Sequence, residues 1–231
     1  MKNRFKPAVL SSIIVSALAL VCTQSANADF DFNEYLGNQV FDCSNDTNLA
    51  EGACHYSVGD TGPAGGKVFF VSKNGSHGLE VSPIDAVVGG ESEFEWGCYK
   101  IDPIGSEEMG LGGGSMNTRM IIDECVSELN GPTAADVADN FEYGGFDDWY
   151  LPSHDELHSL RVNLKDKGLL EMEYDAYWSS SETKVDRKYR LNDPHNDRFS
   201  YVEFVGGAYM VNDLHGGSKD IKHFVRPVRS F

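Results

Sequence analysis

Apolar positions along the chain fall into three regimes. Ala8 to Val21 is an almost unbroken apolar run, interrupted only by serines. Residues 29–56 are polar and show little periodicity. From residue 57 onward, short apolar runs alternate with turns rich in glycine, asparagine and proline, the pattern of a domain mixing helices and strands. Within it, "GDTGPAGGKVFFV" reads as a turn into a strand at Val68 to Val71, and "HGLEVSP" as a second strand. Gly89 to Gly114 reads as a loop-rich segment with Trp96 and Cys98 at its centre. "NTRMIIDECV" predicts a helix capped by Asn117, with Met120, Ile121 and Cys125 near one face. "TAADVADNF" predicts another, capped by Thr133 and ended by Gly144-Gly145, with Ala134, Val137, Ala138 and Phe141 on its buried stripe.

The densest polar stretch is "YGGFDDWYLPSHDELHSL". Ser153-His154-Asp155-Glu156 has the form of a capping box, in which the serine hydroxyl accepts from the N–H of Glu156 and the glutamate reaches back to that of Ser153. Asp155 and Glu156 also sit where the helix dipole favours negative charge. Leu157, Leu160 and Leu164 supply the apolar face of that helix and Gly168 its C-cap. The acidic cluster therefore has a structural explanation. His154 and His158 have the one-turn spacing of a two-histidine metal site, but no third ligand stands nearby. The last third predicts antiparallel strands at "AYWSSSE", "RFSYVEFVGG" and "AYMVND", the last two turned by Gly206-Gly207. "HFVRPVRSF" reads as one closing strand with Arg226 and Arg229 on the same side, placed to pair with acids such as Asp147 or Asp148.

The first regime changes the picture of compartment. Lys2, Arg4 and Lys6 precede the apolar run, and Ala26-Asn27-Ala28 gives the small-x-small pattern of a signal peptidase site, so residues 1–28 are expected to be a cleaved signal peptide. The run is short for a membrane anchor and no second one follows, so no transmembrane segment is expected after signal removal. Val21 is not the small residue that a lipid-modification site wants before Cys22. Loss of three basic residues takes the formal charge from −17 to −20. So acidic a surface repels phosphate backbones and argues against a nucleic-acid partner, while remaining compatible with divalent cations.

Cys43, Cys54, Cys98 and Cys125 remain in the exported chain, an even count that reads as two disulfides. Three pairings exist, and Cys43–Cys54 with Cys98–Cys125 closes the shorter loops. Residues 29–56 are then an N-terminal extension stapled by one bridge. Close cysteine pairs of the zinc-site type are absent. "LNDPHNDR" offers Asn192, Asp193, Asn196 and Asp197 as oxygen ligands for calcium, the one cofactor the sequence raises. Asn-Asp-Pro is equally ordinary turn chemistry. "VNDLHGG" (Asn212, Asp213) is a second oxygen-rich loop.

At "GDTGPAGGKVFFV", "WGCY", "GGFDDWYLPSHDEL", "YWSSSE" and "FVRPVRSF" the chain resembles the Lcl C-terminal domain family, named for a collagen-like adhesin, over residues 57–231. The resemblance implies an α+β fold with a C-type-lectin-like or formylglycine-enzyme-like core, in which two or three helices pack on a twisted antiparallel sheet whose terminal strands lie close together. It implies an adhesin-like domain of an exported bacterial protein, periplasmic, surface-bound or secreted. Two departures limit the analogy. No collagen-like stalk supports trimerisation, and the acidity disfavours sulfated glycosaminoglycans.

Three function classes then compete. Ser179-Ser180-Ser181 lacks the Gly-x-Ser-x-Gly context of a nucleophile, and oxidised cysteines supply no thiolate, so a hydrolase is unmotivated and the chain is read as no enzyme. A binding module for a surface glycan or an extracellular protein would use aromatic faces and cations. Trp178, Tyr209, Arg226 and Arg229 are the candidates, beside Trp149, Tyr189 and Tyr201, although large aromatics more often fill a core. A structural component of an envelope or surface complex would instead self-associate as a homo-oligomer through a sheet edge.

Overall fold

The computed structural model describes residues 55–73, 75, 77–101, 106–183, 199–205 and 216–231. Their architecture is mixed α+β, with three α-helices and two sheets. The strands are β1 (Lys67–Val71), β2 (Gly78–Val81), β3 (Glu93–Glu95), β4 (Ala176–Glu182), β5 (Phe199–Phe204), β6 (Gly216–Ser218), β7 (Lys222–Phe224) and β8 (Val228–Ser230). The helices are α1 (Gly114–Glu124), α2 (Ala134–Asp139) and α3 (His154–Asn163). A three-stranded sheet runs in the order β1-β2-β8, and a five-stranded sheet in the order β3-β7-β4-β5-β6. All neighbours are antiparallel except β4 and β7. Among the described residues no helix is long and apolar enough to cross a membrane.

Expectation and structure part company at three places. The single expected sheet is two, because "HFVRPVRSF" is not one strand: β7 joins the larger sheet, the chain crosses over at Val225 to Pro227, and β8 joins the smaller. Arg226 therefore lies in the crossover and Arg229 on β8, and the two do not share a strand face. The first helix begins three residues before Asn117, which is not its cap but is fully buried. Its amide folds the preceding loop back, Oδ1 accepting from Glu108 N (3.2 Å) and Nδ2 donating to Glu108 O (2.7 Å). The second helix stops at Asn140, and Gly144-Gly145 instead form the turn that pairs Tyr143 with Phe146.

Other local signals act as read. Thr133 caps α2 and Ser153 completes the expected capping box with Glu156; Asp136 makes the Thr133 cap a second such box. Gly168 takes the left-handed conformation (φ 70°) at the end of the 3-10 turn Lys165–Lys167, where any Cβ would be strained. The "GPAGG" turn owes its shape to one buried acid. Glu80, on β2, accepts from Ala64 N (3.1 Å) and Gly66 N (3.0 Å), and side chains at Gly62 or Gly66 would run into its carboxylate.

Two apolar clusters divide the interior. Trp96, Ile121, Val137, Leu151, Trp178 and Val202 fill the space between the larger sheet and helices α1 and α2. Phe69, Leu79, Leu157, Leu160, Tyr177 and Val228 fill the space beneath α3. The serines of "YWSSSE" stitch these layers together. Ser181 Oγ donates to Glu108 O (2.6 Å) and accepts from His154 N (3.0 Å), while Ser180 Oγ donates to Pro152 O (3.2 Å). Burying three hydroxyls is costly unless each finds a partner, and each does.

Candidate functional site: an acid-floored cleft beside strand β3

Strand β3 lies at one end of the larger sheet, and the local sequence builds a wall on each side of it. On one side Val88 and Glu91 exchange both backbone hydrogen bonds (3.0 Å each) around Gly89 and Gly90, whose φ values are 62° and 91°. This is the glycine-dependent two-residue hairpin, and it holds Val88 and Glu91 upright at the sheet margin. On the other side the Cys98–Cys125 disulfide, with Cα atoms 4.6 Å apart, ties the residues after β3 to the end of α1. This is one of the two expected bridges; Cys43 and Cys54 lie outside the described residues. Cys98 N then donates to Val126 O (3.2 Å), which fixes where the loop 126–132 begins. Asn130, at φ 58°, turns that loop back toward Pro132 and the Thr133 cap of α2.

Between the walls lies an open cleft of about 170 Å³. Val88, Phe94, Leu129 and Pro132 supply apolar surface, and Glu91, Glu95, Ser127 and Lys222 supply polar groups. Val88 is 46% and Leu129 64% exposed, so each wall presents a large apolar side chain to solvent. Glu95 is the floor, only 3% exposed. Its Oε2 accepts from the Ser127 hydroxyl and from Leu129 N (3.2 Å). Both hydrogen bonds that the Glu95 carboxylate makes among the described residues fall on that one oxygen, and Glu95 lines the cleft. Lys222 sits directly opposite Glu95 in the β3–β7 register, but its ammonium swings to the rim, 3.5 Å from Glu91 Oε2. Gly131 completes the lining, and a Cβ added there would meet nothing within 4 Å.

Those residues expected from sequence to bind a ligand that the structure describes are placed elsewhere. Trp178 is fully buried, its indole N–H donating to Phe94 O (2.8 Å), while Trp96 donates to Ser179 O (2.8 Å). Trp149 and Tyr201 are likewise buried. Arg226 is 3% exposed and donates to Asp85 (2.6 Å), Ser82 O and Glu171 O. Arg229 forks onto Asp148 (2.6 and 2.8 Å), donates to Glu80 (2.8 Å) and lies over the Phe146 ring. Both guanidinium groups are thus engaged inside the fold and belong to two separate networks. Tyr209 and Tyr189 lie outside the described residues, as do Asn192, Asp193, Asn196 and Asp197 of the calcium reading and Asn212 and Asp213. His154 and His158 stack at 6.3 Å, with Nδ1 of the first facing Asp155 and Nδ1 of the second facing Glu203.

One buried acid outside the cleft has a perturbed titration, the usual flag of chemistry. Burial pushes the Glu156 carboxyl up to about 7, against the pull of the N–H groups of Ser153, Gly112 and Gly114 and of the Tyr150 hydroxyl. Those donors occupy both oxygens: Gly112 N (2.7 Å) and Tyr150 Oη (3.3 Å) on Oε1, Ser153 N (2.8 Å) on Oε2. Glu156 is therefore a hub that joins the cap of α3 to the loop before α1, with no face turned to a substrate.

Neither the protein-family models nor the curated proteins yield a match to this chain.

Proposed function

We propose that the protein is an exported, adhesin-like binding domain, non-catalytic, which engages a surface glycan or an extracellular protein through the cleft beside β3. The reading carries with it the resemblance to the Lcl C-terminal domain family and a C-type-lectin-like arrangement of the core. One observation carries it: a buried carboxylate, with hydrogen bonds among the described residues on only one of its oxygens, lines an opening beside exposed apolar side chains. Ligand sites combine that apolar lining with a few converging polar groups. Calcium is proposed separately, at the loop holding Asp193 and Asp197, and a melting curve with EDTA and then excess calcium tests it through the stabilisation that binding confers.

The binding reading is tested on glycan and peptide arrays with the exported chain, residues 29–231, and its Gly131→Leu variant. Gly131 lines the cleft and a Cβ there meets nothing within 4 Å, so leucine is expected to obstruct the cleft without opposing the fold. Array hits that vanish in the variant, with the melting temperature kept, are expected. Hits equal in both proteins contradict the site. The exposure of Val87 and Val126, 59% and 70%, next in sequence to the lining residues Val88 and Ser127, also favours the assembly reading. Self-association in sedimentation velocity that disappears in the same variant would favour that reading over a soluble ligand.

A further inference from the structure

We infer that the cleft selects a primary alkylammonium group, and that its natural occupant is a lysine side chain of a protein partner. The inference rests on the reading of the cleft as the binding site and names what enters it.

Charge decides the sign. Two carboxylates, Glu95 and Glu91, face one ammonium, Lys222, and that ammonium lies beside Glu91 at the rim and leaves the floor to Glu95. The floor oxygen Oε1 accepts nothing among the described residues, while Oε2 is held by Ser127 and Leu129. A buried carboxylate is stabilised by an incoming donor, and most by a charged one. The chain's formal charge of −17 adds a long-range field that draws cations and repels anions.

Shape decides the rest. A cavity of about 150 Å³ is enough for a benzene-sized group, so 170 Å³ takes one side chain, or the end of a longer ligand that continues beyond the mouth. The walls beside the floor are Val88, Phe94, Leu129 and Pro132, which suit a run of methylenes more than a ring of hydroxyls. A lysine is an apolar stem ending in three donors, and its stem packs on apolar surface while its head finds the acid. An arginine fork is planar and matches a carboxylate with two free oxygens, whereas Glu95 offers one.

The test is a titration of the 15N-labelled exported chain with Nα-acetyl-lysine amide and, in parallel, with Nα-acetyl-norleucine amide, which has a similar stem and no charge. The amides of Glu95, Ser127 and Leu129 are expected to shift saturably with the lysine probe only. Glu95→Gln, checked for an unchanged fold by its melting temperature, is expected to weaken binding at least tenfold. Gly131→Leu is expected to abolish it without touching the acid. Equal binding of norleucine overturns the inference. So does lysine binding that Glu95→Gln leaves unchanged, or lysine shifts that avoid the cleft. If glycan hits move the cleft amides while the lysine probe does not, the lysine inference falls and the binding reading stands. If array binding survives Gly131→Leu, that reading falls with it.

Discussion

Arg229 is where the fold is most exposed to a single change. Its guanidinium touches Glu80, which is fully buried, and Asp148, whose side chain is about half exposed. In Arg229→Met the stem volume is nearly kept, but Glu80 remains in the interior with the N–H groups of Ala64 and Gly66 as its donors. Removing one partner of a buried ion pair costs about 3 to 5 kcal/mol, because the orphaned charge cannot regain water. The Asp148 side of the network adds little, about 0 to 1 kcal/mol, since an exposed carboxylate is rehydrated and screened. Asp148→Asn alone should accordingly fall within that small range. Arg229→Met/Glu80→Gln gives the sharper contrast. It removes the stranded charge but points an amide at one of the two N–H groups, leaving a residual cost of about 1 to 3 kcal/mol. The double variant should therefore be more stable than Arg229→Met. Urea unfolding followed by tryptophan fluorescence measures all three. A loss under about 1 kcal/mol for Arg229→Met, or a double variant no better than the single, would refute a buried Glu80 charge as the centre of this network.

Three further expectations concern other parts of the frame. Replacing Cys98 and Cys125 by serine opens a loop with a sequence separation of 27 and should cost about 3 to 4 kcal/mol by chain entropy, with hydrogen exchange rising first in residues 126–132. Glu156 has a folded pKa raised by burial to about 7, so it destabilises the native state when ionised. That penalty, on the order of 3 kcal/mol, is full above pH 7 and fades as the pH falls toward 4.5. Wild type should gain stability relative to Glu156→Gln as the pH is lowered from 8 to 5, and a flat difference would contradict it. Gly144→Ala, at φ 65°, drives a methyl into the Ala64 carbonyl and should lower the melting temperature by several degrees, whereas Gly145→Ala meets only the backbone penalty of its positive φ.

Elements with a local cause were legible in the sequence. The Ser153 capping box and the Thr133 cap need only a few consecutive residues, although the reciprocal bond from Asp136 was not anticipated, and the leucines of α3 need only their helical spacing. What depended on distant partners was not. Asn117 looks like a helix cap until Glu108 is seen folded against it. Pro227, between two Val-Arg pairs, hid a crossover from one sheet to the other. Aromatic and cationic residues drew attention as ligand groups, yet Trp178, Arg226 and Arg229 are spent on the interior. The cleft left fainter marks: a Gly-Gly hairpin after two exposed valines, glutamates alternating at 91, 93 and 95, and Leu129 beside the turn residues Asn130, Gly131 and Pro132. No single one of these signals chemistry, because they meet only through the β3–β7 pairing and the disulfide.

Hydrogen–deuterium exchange tests the location of binding most directly. Residues 29–231 are measured alone and with the glycan or peptide that scores highest on the arrays. Protection confined to residues 86–96 and 126–132, and absent in Gly131→Leu, is the expected result. Protection that leaves both segments unchanged and appears elsewhere in the chain would contradict the cleft as the binding site.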